Sequence, residues 1–408
     1  MRGKTESPPS PTGGDRAQET APRRRLRTLL AAAVAVVATA GAVGLMLKLD
    51  YLAWDFRNNL WGPAHLLIHG QSPYRIEALF DNSNAIWFPP AIGLFFPLAW
   101  LDLRWATNLW FLGNLLLGLT ILWWSRREES APLSLSAVIL LALIVFPPVL
   151  AHFILGQFGL LATFLLLTAA HFVARRRFLA AGLLLAVTLA KPQLAVLVAP
   201  GLAVACVRQG GKRGLLVYLG ATILGTALLT VPLWLGYPAW MPDFLQALGR
   251  NSIWLQPTLF TMFRLAWGPV AQIVPVLFSL GLLVLTIWLW RRYPPVEAMP
   301  WTLGLTILAT PYVWTWDLVL LLPLVFRSLF RQRSWVARAT WGFGYALCWS
   351  VMTWIRLRTN NSDHRYFWLP WFIFLLILGG HLVENRFSPA GRQPLLRRTP
   401  PAACRPRG

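Results

Sequence analysis

Acidic residues are scarce in this chain: 15 Asp and Glu stand against 37 Lys and Arg in 408 residues, and charged residues of both signs make up only 13%. With 56% hydrophobic residues and a mean hydropathy of +0.54, that scarcity excludes a soluble protein of two or three domains. Cysteine is rarer still. Cys206, Cys348 and Cys404 are an odd count without metal-like spacing, which excludes a disulfide framework and a zinc site. No Gly-rich phosphate loop and no dinucleotide fingerprint occurs, so the short basic loops hold no nucleotide site. A net charge of +22 would point to nucleic acid in a soluble chain. Here the basic residues cluster between apolar runs, at Arg23 to Arg27, Arg126/Arg127, Arg175 to Arg177, Arg208/Lys212/Arg213, Arg291/Arg292 and Arg327/Arg331/Arg333. Such clusters mark the cytoplasmic side of a membrane, so the charge reports orientation and no nucleic-acid partner is expected.

What is abundant is apolar sequence. Runs long enough to cross about 30 Å of hydrocarbon, at roughly 20 residues each, fall near 28–49, 105–125, 132–150, 158–174, 178–190, 193–207, 214–235, 270–290, 298–313, 316–330, 335–355 and 366–383. The expected fold class is all-α: a polytopic integral membrane protein of about 12 transmembrane helices forming one domain over 28–385. Ile86 to Leu101 is apolar but short and contains Pro89-Pro90. A full crossing there would carry Arg126/Arg127 to the outside, so the segment is expected to be re-entrant or interfacial. Thr28 to Leu49 reads as an uncleaved anchor. The ends, 1–27 and 386–408, are rich in Pro, Ser, Gly and Arg and are expected to be disordered basic cytoplasmic tails.

This topology assigns residues 50–84, 146–157, 236–267, 311–317 and 356–366, and the Lys191-Pro192-Gln193 break, to the extracytoplasmic side. Most acidic residues sit in the tail or beside basic clusters. Asp50 and Asp55 instead follow the first run at the membrane edge, among Trp, Phe and Leu, where burial raises a carboxylate's basicity toward that of a general base. Helix capping or pairing with Arg57 are the competing roles for either. Lys191 lies in an apolar stretch, and Pro192 frees backbone groups beside it, so it is expected to line a cavity; snorkelling to the interface is the alternative. His152, Gln157, Trp314 and Asp317 offer donors, acceptors and a stacking platform for a sugar, although His152 suits an interface, Trp314 an aromatic belt and Asp317 a helix cap equally well. Arg264 in the 236–267 loop is a candidate contact for phosphate or a headgroup. Asp243 and Asp363 are expected to be solvated.

Asp55 followed by Gly70-Gln71-Ser72-Pro73-Tyr74, Trp87-Phe88-Pro89-Pro90, Gly156-Gln157, Lys191-Pro192-Gln193 and Pro311-x-x-Trp314 resembles, in order and spacing, the polytopic mannosyltransferases of glycosyltransferase family 87. The resemblance runs from about Asp50 to Pro323. It implies a GT-C architecture, a polyprenyl-phosphate sugar donor, a lipid or glycan acceptor in the cell envelope, and an active site facing outside the plasma membrane. It also implies a catalytic Asp in the first extracytoplasmic loop, best matched by Asp55 with Asp50 in reserve, and it places Tyr74 among the substrate contacts. Phe88 stands where members often carry Tyr, and Asp317 where a His is common near Trp314, which implies a shifted substrate preference. No metal and no cofactor is expected, since the loops hold no Asp-x-Asp motif, and the leaving phosphate would rely on a side-chain cation, Lys191. A secondary transporter or lipid flippase would also show broken helices and an intramembrane Lys. It is disfavoured by the absence of an internal repeat and by the gathering of polar candidates on one face.

Overall fold

The computed structural model describes residues 53–80, 87–249, 255–359, 362–387 and 394–396, with scattered helical positions between 29 and 44. Asp50, most of the first apolar run and most of both tails lie outside the described residues. Among those described, every regular element is helical and there is no strand. Leu103–Glu128, Val198–Gly236, Pro269–Arg292 and Asp363–Phe387 are long and apolar enough to cross a membrane, and Leu133–Val145 with Pro147–Leu155 forms a fifth span if the bent pair counts as one. That pair bends by 68° because Pro147 and Pro148 donate no N–H and hold Phe146 extended. Only 17–33% of the most apolar window of each long helix is buried, and Leu109, Leu112, Leu116, Ile223, Leu224 and Leu228 point outward. A water-facing surface of that kind would be unstable; in lipid it is the expected one.

Among the described residues, the apolar runs become four or five helices sufficient by themselves and several shorter ones. Gly159–Ala174 and Phe178–Thr188 are among the latter, and they bury Ala162, Leu166, Ala170, Ala181 and Leu185 inside the bundle. The long Val198–Gly236 element contains one non-helical residue, Gly211, whose φ of 62° and ψ of −157° an L side chain adopts only with strain. The chain reverses there, since Tyr218 Oη donates to the Ala199 carbonyl at 3.2 Å. Two antiparallel arms therefore meet at a basic turn containing Arg208, Lys212 and Arg213.

Pro89–Trp100 spans twelve residues, about 18 Å at the helical rise, too short for about 30 Å of hydrocarbon. Both of its ends stay beside the first described loop. Trp87, just before it, lines the same cavity as Asp55, and Leu101, just after it, accepts the Trp61 indole N–H at 3.3 Å.

The two ends of the bundle differ in chemistry. Gly159–Ala174 starts beside Gln157 and carries His171 in its last turn, and Phe178–Thr188 runs back to Lys191. Around His171 lies an ion-pair cluster: Arg327 with Glu128 and, at 3.6 Å, Glu297; Arg331 with Glu129 at 2.8 Å and Glu297 at 3.7 Å; His171 with Glu128 at 3.8 Å. Glu128, Glu129 and Glu297 are thus paired and tie four helices together. The polar cavity lies at the other end, one helix of about 24 Å away.

Candidate active site

Asp55 stands on a single helical turn, Trp54–Phe56, that continues as the π-helical turn Arg57–Trp61 and the helix Gly62–Ile68. Ala53, in the left-handed region at φ 61°, donates its N–H to the Ile154 carbonyl at 2.6 Å. Gly156, at φ 68°, ends Pro147–Leu155 against the same turn, and the Trp110 indole donates to its carbonyl at 2.7 Å. This docking sets Gln157 beside Asp55. The Gln157 amide nitrogen donates to Asp55 Oδ2, and Asn59 donates to Oδ1 at 3.2 Å.

The other end of the Gln157 amide faces Lys191. Lys191 Nζ donates to Gln157 Oε1 at 3.4 Å and to Asp317 Oδ1 at 2.5 Å, and it stands 5.5 Å from the centre of the Trp87 ring. The amide orientation follows from chemistry: an ammonium only donates and a carboxylate only accepts, so oxygen must face Lys191 and nitrogen Asp55. Asp317 is fully buried, and its second oxygen caps the turn that follows by accepting the Trp314 N–H at 3.1 Å. The cap expected from sequence and the charge partner are therefore the same residue.

Asp55 and Lys191 open onto one cavity of about 850 Å³, whose wall also carries Trp87, Tyr312, Trp314 and Trp316. The Trp314 and Trp316 rings stack with centroids 5.0 Å apart and an 11° interplanar angle. Burial raises the Asp55 pKa most, and the negative Asp317 adds to it, while Lys191 and the Gln157 bond pull it down; the balance is about 6. Such a carboxylate is ionised near neutral pH yet more basic than a solvated one.

The cavity gathers Asp55, Gln157, Lys191 and Trp314, with Asp317 directly behind Lys191. His152 is fully buried outside it, its ring nitrogens 3.2 Å from Asn114 Oδ1 and 3.3 Å from the Trp316 carbonyl, where it backs the tryptophan wall. Tyr74 packs on Phe244 with centroids 5.2 Å apart, and Arg264 is exposed on the short helix Leu259–Trp267; neither is on the cavity wall. Arg57 does not take Asp55 as its partner, because its guanidinium lies 4.5 Å from the Trp54 ring centre and 4.7 Å from that of Phe80.

Two aspartates expected in solvent are engaged. Asp243 accepts from Ser72 and, at 3.2 Å, from Tyr237. Asp363 lines the cavity with Ser362 and His364 and accepts both from the Thr315 hydroxyl, at 2.7 Å, and from the Thr315 N–H, at 3.0 Å. Nothing in the local sequence marks it, because its partner lies 48 residues earlier. Among the described residues no group of three or more His, Cys, Asp or Glu is placed to hold a metal.

A family model for glycosyltransferase family 87 matches residues 86–311, more than half of the chain. The chain belongs to glycosyltransferase family 87. It is a glycosyltransferase with apolar helices fit for a membrane, which acts on a sugar donor and an acceptor. The matched segment supplies Trp87, Gln157 and Lys191 to the cavity; Asp55, Trp314, Asp317 and Asp363 lie outside it. Comparison with curated proteins finds no match.

Proposed function

We propose that this family 87 glycosyltransferase moves a sugar, mannose by the family resemblance, from a polyprenyl-phosphate donor to a hydroxyl of an envelope glycolipid or glycan. The reaction takes place at the extracytoplasmic face of the plasma membrane, in a GT-C-like bundle. The observation that carries this reading is the single Gln157 amide joining Asp55 to Lys191 on one cavity wall. A base and a cation held at the two ends of one rigid group suit a displacement that takes a proton from the nucleophile and leaves negative charge on the departing group.

In the step proposed, the acceptor O–H gives its proton to the Asp55 carboxylate as its oxygen attacks the anomeric carbon. The bond from that carbon to the phosphate oxygen breaks, its electron pair leaves with polyprenyl phosphate, and the configuration inverts. Lys191 has three N–H donors. Asp317 and Gln157 take two, and the third is available to the phosphate, whose growing charge it offsets in a site shielded from water. The tryptophan wall stacks on the apolar face of a sugar ring. The outward orientation is supported by the basic turns and the Arg327/Arg331 cluster at the opposite end of the helices.

Incubation of purified protein with radiolabelled polyprenyl-phosphate mannose and a panel of envelope glycolipids tests this reading. Labelled, chain-extended glycolipid of inverted anomeric configuration is expected. Movement of lipid-linked sugar across proteoliposomes without its consumption would replace the reading with a transporter.

A further inference from the structure

The stacked pair Trp314 and Trp316 brackets Thr315, and Thr315 is the residue that the remote Asp363 holds by both side-chain oxygens. We propose that Asp363 is a positioning residue that fixes the Trp314–Trp316 wall against a pyranose ring of the substrate, so that it governs sugar affinity without taking part in proton transfer. The proposal rests on the transferase reading for its substrate and on geometry for the clamp itself.

The geometry begins with backbone groups. A helical turn starts at Thr315, and the first N–H groups of such a turn have no partner within it. Here two carboxylates supply the partners in succession, Asp317 to the Trp314 N–H and Asp363 to the Thr315 N–H. Asp317 is committed to Lys191 through its other oxygen, so Asp363 is the clamp whose loss leaves the Lys191 ion pair standing.

Trp314 and Trp316 both line the cavity, and Thr315 between them directs its hydroxyl to Asp363. Holding Thr315 therefore fixes the backbone that carries both rings to the cavity. The Trp316 indole N–H is buried and makes no hydrogen bond among the described residues, so the ring is held by stacking and by its backbone. The turn beneath it therefore places the wall, with Tyr312 edge-on to Trp314 at 6.2 Å beside it. Ser362, Asp363 and His364 themselves border the cavity, which puts the clamp in the same space as the sugar.

Asparagine separates this role from an acid or base role. In Asp363→Asn the amide oxygen still accepts the Thr315 N–H, and the amide nitrogen donates to a Thr315 hydroxyl turned to accept it, so both bonds survive without the charge. Asp363→Ala removes both. Kinetics in detergent on the wild type and on Asp363→Ala, Asp363→Asn and Thr315→Val are the test. The alanine variant is expected to raise KM for one sugar substrate about ten-fold, the range of a lost aromatic stacking contact, with kcat within a few-fold. The asparagine variant should return to wild-type KM, and Thr315→Val should lie between. An asparagine variant as impaired as alanine, an alanine variant with unchanged KM, or a loss confined to kcat would each overturn the proposal.

Amide hydrogen exchange over residues 314–318 is the second readout. It is expected to quicken in Asp363→Ala and not in Asp363→Asn, whether or not the chain transfers sugar. Absence of transfer by the wild type therefore defeats the proposed function alone, whereas unchanged exchange in the alanine variant, or in Thr315→Val if alanine does not fold, defeats the clamp.

Discussion

Asp55 acts only as a carboxylate, and its pKa of about 6 sets the pH at which that form is lost. A base is active above its pKa, so kcat/KM should fall ten-fold per unit as the pH drops below about 6, where a solvated Asp would hold its rate to near 4. A pH–rate profile over that range checks the assignment. Asp55→Asn keeps the size and a hydrogen bond to Gln157 or Asn59 but accepts no proton. Turnover per folded molecule should fall by roughly two to four orders of magnitude while donor binding survives. Lys191→Ala has two effects. It removes the cation for the phosphate, and it strands Asp317, which is 0% exposed, without a counter-charge, at a cost of about 3–5 kcal/mol. The yield of folded protein and the turnover should both drop. Adding Asp317→Asn should restore the yield and leave turnover low, an outcome that separates chemistry from folding. Lys191 was legible in the sequence because it stands in apolar surroundings where a charge is costly, and Asp55 because the family resemblance singles it out from Asp50. Asp363 was not, since its surroundings are polar and its partner is remote.

Among elements, the contact between the Asp55 turn and the end of Pro147–Leu155 positions the base. A Cβ on Gly156 would lie 2.8 Å from Phe56 Cβ and 2.9 Å from Ala53 Cβ, in a backbone conformation that itself costs a side chain about 1–2 kcal/mol. Gly156→Ala should therefore lower the melting temperature and also reduce turnover, because relief of the clash moves Asp55 away from Gln157. Gly113, within Leu103–Glu128, is the control, since a Cβ there would meet nothing within 4 Å. Gly113→Ala should leave turnover unchanged and hold or slightly raise the melting temperature, by about 0.5–1 kcal/mol of helix preference. A Gly156→Ala protein with wild-type kinetics would remove this docking from the account of the site. The Gly156-Gln157 pair was readable as a motif. Why glycine is needed there was not, because the Cβ clash comes from residues a hundred positions earlier in the chain.

For the whole molecule, the charge asymmetry sets a testable orientation. Gln71 is exposed in the loop after Gly62–Ile68, at the cavity end, and Arg176 is exposed in the turn between Gly159–Ala174 and Phe178–Thr188, at the basic end. In intact cells a membrane-impermeant maleimide should label Gln71→Cys, and should label Arg176→Cys only after permeabilisation. The reverse pattern would turn the cavity toward the cytoplasm, away from the proposed donor face. Cys206 and Cys348 are buried, which limits labelling of either, and the test is run on a Cys404→Ser background to remove the third thiol.

Membrane residence, the all-helical class, the sided charge and several members of the site follow from the sequence by itself. Each is a sum over neighbouring residues: hydropathy over a run, basic charge over a turn, the penalty of a lone Lys among apolar side chains. Tertiary structure decided the partners. Gln157 meets Asp55 across 102 positions and Lys191 meets Asp317 across 126, and no local sum encodes which distant turns come together. The same packing left Tyr74 and Arg264 away from the cavity, turned Arg57 onto aromatic rings, and brought Asp363 beneath the tryptophan wall. A hydrogen bond is worth making only where two groups are already held within about 3 Å, and it is the fold that holds them.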